Sequence, residues 1–274
     1  MHPIAFNLGR LPIHWYGVMM ALAFVAGLWT ASRRGMREGV PAETTIDVGP
    51  WLIIGAIIGA RTFYVFTFWR EEFAGKPLWE IIAVWQGGLV YYGGLVGASA
   101  GYILYTRRKK LPLWKGADIL APSIALGYVF GRIGCLFNGC CYGRVCDVPW
   151  GIHFPIGSPA FKQQSYEGLL EPDAHKSLGV HPTQLYESLL SLGLYLALAW
   201  LYRRKKFDGQ VFATYLVSYA VLRSFVEMFR GDYPQNQRFV GGWLTPAHLV
   251  SVVILIAGLL LFLILPRPTV STAK

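Results

Sequence analysis

Residues 131–144 read GRIGCLFNGCCYGR, and residues 219–232 read YAVLRSFVEMFRGD. Both set arginine inside or at the end of an apolar run, where a cation costs about 3 kcal/mol at the centre of a spanning helix. Arg61, in IIGARTFYVF, is a further cation of this kind. Arginines so placed normally face a bundle interior or a cavity and have partners there. Tyr219, Arg223, Glu227 and Arg230 share one helical stripe, and Arg223 can pair with Glu227 four residues on. That one acid does not neutralise Arg223, Arg230 and Arg132 together, and Glu187 is the one other acid nearby. The surplus calls for an anion. Lipid phosphate is abundant at that depth, and arginine grips it bidentately where lysine cannot. The plainer alternative is snorkelling to headgroups, which suits Arg230 at a helix end better than Arg223 two turns deeper.

All four cysteines, Cys135, Cys140, Cys141 and Cys146, fall within a dozen residues. Their spacing, C-x4-C-C-x4-C, is neither a zinc knuckle nor a CxxC pair. Small apolar packing or a local disulfide is the expected role, with a metal or redox centre as the alternative. No metal, nucleotide or flavin motif is present, so no cofactor is expected.

Two histidines open apolar runs: His14 with Tyr16 in LPIHWYG, and His181 with Gln184 and Tyr186 in HPTQLYES. Each is read either as a cap or interface anchor or as part of the same site. In WQGGLVYYGGLVGASAG, residues 85–101, Gly93, Gly97 and Gly101 have the spacing of close helix packing. Gly87 and Gly88 could instead break the helix into a re-entrant segment, tolerated only where it lines protein or water.

The elements that must carry these residues are membrane spans. The chain has 274 residues, 54% hydrophobic and 15% charged, where a soluble domain carries roughly a quarter charged. Apolar runs near 15–32, 49–69, 80–106, 117–137, 183–202, 209–230 and 245–266 are long enough to cross a bilayer. The +10 net charge sits in short clusters: Arg33, Arg34 and Arg37, then 107–110, then 203–206. These follow the first, third and fifth runs and mark cytoplasmic loops; they are too short for a nucleic-acid face. The expected fold is all-α and polytopic, with seven transmembrane helices, the N-terminus outside and the C-terminus cytoplasmic. It forms a single integral membrane domain over 1–274. The first run has its arginines after it and reads as an anchor, not a cleaved signal. Residues 140–180, rich in Gly, Pro and aromatics, are expected to form a small external head.

HWYG, GAR, WQGG, the GR-x-G-x-x-x-N-G core of 131–139, HPTQLYE and RSFVEMFR occur in this order, and the pattern resembles prolipoprotein diacylglyceryl transferases from Leu11 to about Pro246. The resemblance implies a bacterial inner-membrane enzyme with its site on the periplasmic side. Such an enzyme moves the diacylglyceryl group of phosphatidylglycerol onto the lipobox cysteine thiol of a preprolipoprotein, forms a thioether and releases glycerol phosphate. By motif, Arg132 would hold the lipid phosphate, Arg223 would stand by the departing phosphate, and Glu227 would orient Arg223. Tyr16, Asn138, Gly143 and His181 would shape the cavity, with Arg61 and Arg230 as further cations. The nucleophile belongs to the substrate, so none of the chain's own cysteines is required. The chain departs from the family pattern at Tyr92, where a histidine is expected, at Cys135, where asparagine is expected, and at the Cys140–Cys141 pair. Tyrosine is a weak base near neutrality, which leaves Tyr92 and His14 as the candidates beside the thiol. Two rival functions are an arginine-lined lipid or anion transporter and a membrane thiol oxidoreductase.

Overall fold

The structure is a computed structural model that describes residues 3–9, 11–232 and 244–265. The chain opens with an antiparallel hairpin, β1 (Ile4–Leu8) and β2 (Leu11–His14), paired Phe6 to Ile13 and Leu8 to Leu11. This is a small departure from the all-helical expectation. Helices follow: α1 (Trp15–Arg37), α2 (Ala42–Ile46), α3 (Val48–Thr67), α4 (Tyr91–Arg108), α5 (Leu113–Asn138), α6 (Pro159–Tyr166), α7 (Thr183–Tyr202), α8 (Gln210–Glu227) and α9 (Pro246–Ile264). Among the described residues, seven of these have 18 residues or more.

Among the described residues, five stretches are long and apolar enough to cross a membrane: Trp15–Arg37, Ala42–Thr67, Leu113–Asn138, Thr183–Tyr202 and Pro246–Ile264. Their outward faces are apolar, as at Val25, Ile58, Phe66 and Leu263, and only lipid makes that arrangement favourable. The protein is a polytopic, helical membrane protein. The helices α4 and α8 are about 27 Å long at 1.5 Å per residue but less apolar. Glycine and tyrosine dilute the first, and Arg223 with Glu227 the second.

Contacts divide the chain into two compact units, residues 28–116 and residues 1–27 with 117–274. In the 28–116 unit, α3 and α4 are antiparallel and touch backbone to backbone. A methyl group on Gly97 would stand 2.1 Å from the Gly55 carbonyl, and one on Gly93 2.5 Å from that of Gly59. The packing role of the spaced glycines is thus met. The helix expected from residue 80 begins only at Tyr91. Before it run two short 3-10 turns, Leu78–Ile82 and Val84–Gln86, and then Gly87 and Gly88 at φ +88° and +71°. Those angles are open to glycine and strained for other residues.

In the other unit α5 runs antiparallel to α1 and to α7, and α8 antiparallel to α7 and α9. Gly134 of α5 lies against Tyr16 and Met19 of α1, and Gly27 against Ser123. The helices α5 and α8 run the same way, with Tyr128 edge-on to Tyr219 at 5.7 Å. Between them α7 runs oppositely, bringing Glu187 to one end and Lys205, just after the helix, to the other. Residues 140–180 carry short backbone bridges and one short helix. Val180 bridges both Val145 and Ile152, Pro155 bridges Lys176, and α6 packs Ala160 beside Tyr142 and Phe154. Ser158 caps α6 by accepting from Phe161 N–H.

Candidate active site

The helix α5 ends in a tight reversal. Gly139, at φ +72°, follows the last helical residue Asn138, and Cys140 N–H returns to the Cys135 carbonyl. This pattern closes helix C-termini. Two turns before that end, Arg132 points along its own helix to the hydroxyl of Tyr128, four residues back. Its Nε also meets Glu187 Oε2.

Glu187 is the hub. Its second oxygen lies 2.5 Å from Arg223 Nη1 and 3.9 Å from Arg230 Nη1. Arg223 continues to Glu227 Oε2 at 2.6 Å, and Glu227 Oε1 accepts from the Thr245 hydroxyl at 2.7 Å. Arg230 forks onto Asp232 at 2.7 and 2.6 Å. Glu187, Glu227 and Arg230 are buried. Arg132 and Arg223, from separate helices, therefore meet on one carboxylate. The expected surplus of positive charge is corrected here, because Arg132, Arg223 and Arg230 stand with three acids: Glu187, Glu227 and Asp232. Buried charges are sustained only in such company. Arg230 also belongs to this network and has not snorkelled to a surface.

A narrow cleft with room for about 20 Å³ opens beside the hub. Tyr128, Glu187 and Arg223 form its polar end, and Leu190, Leu194 and Leu222 its apolar flank.

The start of α7 holds the reversal at 139–141. Thr183 donates to the Cys141 carbonyl at 2.7 Å and Gln184 to the Cys140 carbonyl at 2.8 Å. His181 sits in an aromatic setting, its Nδ1 3.2 Å from Tyr186 Oη and its ring edge-on to Phe229 at 5.4 Å. Its backbone pairs with Gly143 and Arg144, while Arg144 N–H donates to the Phe229 carbonyl and Gly231 N–H to that of Tyr142. Gly143 lies where a methyl group would stand 2.5 Å from the His181 Cβ and 2.8 Å from the Phe229 carbonyl. Both residues brace the end of the site. Below them, burial raises the Tyr142 phenol above its usual range, which keeps it a neutral partner of Gln163.

Asn138 is exposed and donates to Cys140 Sγ at 3.4 Å. Tyr16 packs on Gly134, within electrostatic reach of Arg132 and of Cys135, Cys140 and Cys141. His14 is exposed at the end of β2. Tyr92 belongs to the 28–116 unit, at the first turn of α4, edge-on to Tyr91. Arg61 belongs to that unit too, and its expected role as an anion-binding cation is not what its contacts describe. Its Nε donates to the Ile81 carbonyl, Nη1 to those of Gly87 and Gly88, and Nη2 to that of Glu80. All three nitrogens are spent on backbone, so Arg61 is a strut for the 80–88 segment. The expected local disulfide is also absent: Cys135, Cys140, Cys141 and Cys146 are free thiols.

Sequence reasoning left Tyr128, Asp232 and Thr245 out of the site. Tyr128 was signalled by its position four residues before Arg132, and Asp232 by its place two residues after Arg230. Thr245 carried no signal, being 18 residues from Glu227.

A helical membrane protein in which Arg132 and Arg223 meet on one buried carboxylate defines the class, a polytopic membrane protein with a charged site among its helices. A family model described as prolipoprotein diacylglyceryl transferase matches residues 3–264. The phosphatidylglycerol–prolipoprotein diacylglyceryl transferase of Synechococcus elongatus is 35% identical over 266 residues, covering 94% of this chain and 85% of that protein. The enzyme of the same name from Geobacillus kaustophilus is 35% identical over 258 residues, covering 94% and 90%. That from Chromohalobacter salexigens is 33% identical over 273 residues, covering 99% and 95%. The chain belongs to the prolipoprotein diacylglyceryl transferase family, and it is a transferase.

Proposed function

We propose that the chain transfers the diacylglyceryl group of phosphatidylglycerol to the lipobox cysteine thiol of a preprolipoprotein, the first step of lipoprotein maturation. The membrane is the bacterial inner membrane. It is crossed by seven helices with the N-terminus periplasmic and the C-terminus cytoplasmic, so that Arg132, Arg223 and the 140–180 head stand at the periplasmic face. The antiparallel helix pairs and the basic clusters after α1, α4 and α7 support that orientation. The observation that carries the reading is the convergence of Arg132 and Arg223 on the two oxygens of Glu187. A phosphate offers the same pair of oxygens with more charge.

In this reading the headgroup phosphate takes the place of the Glu187 carboxylate between the two arginines. The substrate sulfur attacks the glyceryl CH2, the C–O bond to phosphate breaks, and the electron pair leaves on the phosphate oxygen. Arg132 and Arg223, pre-aimed and shielded from water, stabilise the charge as it grows there. Glu227 keeps Arg223 aimed, and Arg230 with Asp232 closes the outer rim. Asn138, Tyr16, His181 and Gly143 shape the site. Tyr92, which stands where the family motif carries a histidine, and His14 are the two candidates to receive the thiol proton. A transporter lacks support, since the chain shows no paired repeats and its relatives are named transferases. A thiol oxidoreductase lacks support too, since no CxxC pair is present.

The test is purified enzyme with phosphatidylglycerol vesicles and a lipobox peptide, read by mass spectrometry. A peptide mass gain equal to one diacylglyceryl group on cysteine is expected. An unmodified peptide in the presence of folded enzyme and lipid would remove the assignment.

A further inference from the structure

We propose that Cys135, Cys140 and Cys141 bind a thiophilic divalent cation, Zn2+, whose fourth coordination position receives the substrate thiol. The inference deepens the transferase reading and rests on it for the identity of that thiol.

The three sulfurs come from the last turn of α5 and the reversal after it, and all lie within 4.8 Å of one another. Three thiolates bound tetrahedrally at about 2.3 Å stand about 3.8 Å apart, so small side-chain rotations close the site. Cys141 adopts φ +62°, an unusual conformation for a residue other than glycine, and this turns it back toward the other two. The cysteine backbone is held from outside by Thr183 and Gln184 on the Cys141 and Cys140 carbonyls. Asn138 donates to Cys140 Sγ. Outer partners of this kind fix the direction of metal ligands.

The donor set selects the ion. Three thiolates with no carboxylate or imidazole favour zinc over the harder divalent ions. Three negative charges on a dication leave a centre of charge −1, and Cys141 lies within electrostatic reach of Arg132 and Arg230, which favours that charge. The three cysteines are partly exposed, so the fourth position is open to a ligand, the arrangement of catalytic rather than structural zinc.

An open Zn2+ position beside the phosphate-binding arginines supplies what the acids of the site cannot. Glu187, Glu227 and Asp232 are each paired with arginine. On coordination the substrate thiol loses its proton to water or His14, because a metal-bound thiol is deprotonated outright. The bound sulfur then gives its lone pair to the glyceryl carbon as the C–O bond to phosphate breaks. The thioether that forms is a weaker ligand and leaves the metal, while glycerol phosphate departs with the electron pair. The expectation that the chain's own cysteines are dispensable is reversed for three of them.

The experiment uses the full chain in detergent. Elemental analysis should find about one zinc per chain, and Co2+ added to stripped protein should give a thiolate-to-cobalt charge-transfer band. Cys135→Ser and Cys141→Ser should each lose both signals, and Cys146→Ser should keep them. A lipobox peptide should alter the cobalt band, and the same peptide with serine for cysteine should not. Stripped wild-type protein that gives no band with equimolar Co2+, or that carries a disulfide among these cysteines, overturns the inference. So does a band that the cysteine peptide leaves unchanged. Full transfer by metal-free Cys135→Ser enzyme overturns it as well and leaves the transferase reading intact. Failure of transfer in zinc-loaded protein with a peptide-sensitive cobalt band removes the diacylglyceryl reading instead.

Discussion

Two buried acids join the same three helical segments at opposite ends of one unit. Asp118, near the start of α5, is fully buried and accepts from Gly209 N–H at 2.8 Å and Phe212 N–H at 2.9 Å, with Lys205 Nζ at 3.3 Å. Glu187, on α7, is nearly as buried but is held by side chains: Arg132, Arg223 and Tyr128, with Arg230 close. Asp118 caps the first turn of α8, where free N–H groups and the helix dipole both favour a carboxylate. Backbone donors have nowhere to go. Guanidinium groups on side chains can be passed from one anion to another, so the Glu187 end can exchange partners while the Asp118 end cannot. A charge-balanced cluster inside a membrane is therefore compatible with anion binding when its cations belong to movable side chains.

Several substitutions put that contrast at risk. The largest effect belongs to Arg223→Ala and Arg132→Ala, each lowering kcat of transfer by about 10²–10³-fold, the scale for losing one pre-aimed donor to a developing oxyanion. The variants should still insert and purify, and near-normal rates from either would break the exchange picture. Asp118→Ala should cost about 2–3 kcal/mol by leaving buried donors unmet, seen as a lower Tm in detergent. Its rate per folded molecule should stay close to that of the parent. If Asp118→Ala loses transfer while keeping its Tm, the two ends do not differ as described. Next in size, Glu187→Gln should bind anionic lipid several-fold more tightly, since removing one ion-pair partner frees about 1–2 kcal/mol of competition, as read by lipid competition binding. Weaker lipid binding would make Glu187 an organiser rather than a stand-in for phosphate. Smallest is position 92: Tyr92→Phe should slow transfer a few-fold and Tyr92→His should keep it. Parent-like rates in both would make Tyr92 a packing residue.

The sequence made the helices and the arginine stripe visible but not the charge balance. Apolar runs mark long helices because lipid-facing surfaces must be continuous, so α1, α5, α7 and α9 fall where hydropathy puts them. The start of α4 was misplaced because 80–90 is as apolar as a helix, while Gly87 and Gly88 act through backbone angles that hydropathy does not register. Arg223 and Glu227 were readable as neighbours four apart. The meeting of Arg132 with Glu187 spans 55 residues and depends on which way α7 turns, which no local pattern encodes. Arg61 was read as a free cation because carbonyl partners leave no mark in residue type. The cysteine spacing suggested no known metal motif, and the reversal through Gly139 and Cys141 brings the thiols together.

The carbonyl ligation of Arg61 has a consequence for how the chain enters α4. Straightening residues 80–88 into a continuous helix would turn those carbonyls inward and strand a bare guanidinium in hydrocarbon, so the bend acts as a latch locked by a cation. A lysine there would offer one point of attachment in place of a rigid three-nitrogen plate. Tyr91 and Tyr92 would then lose the fixed platform from which their rings project.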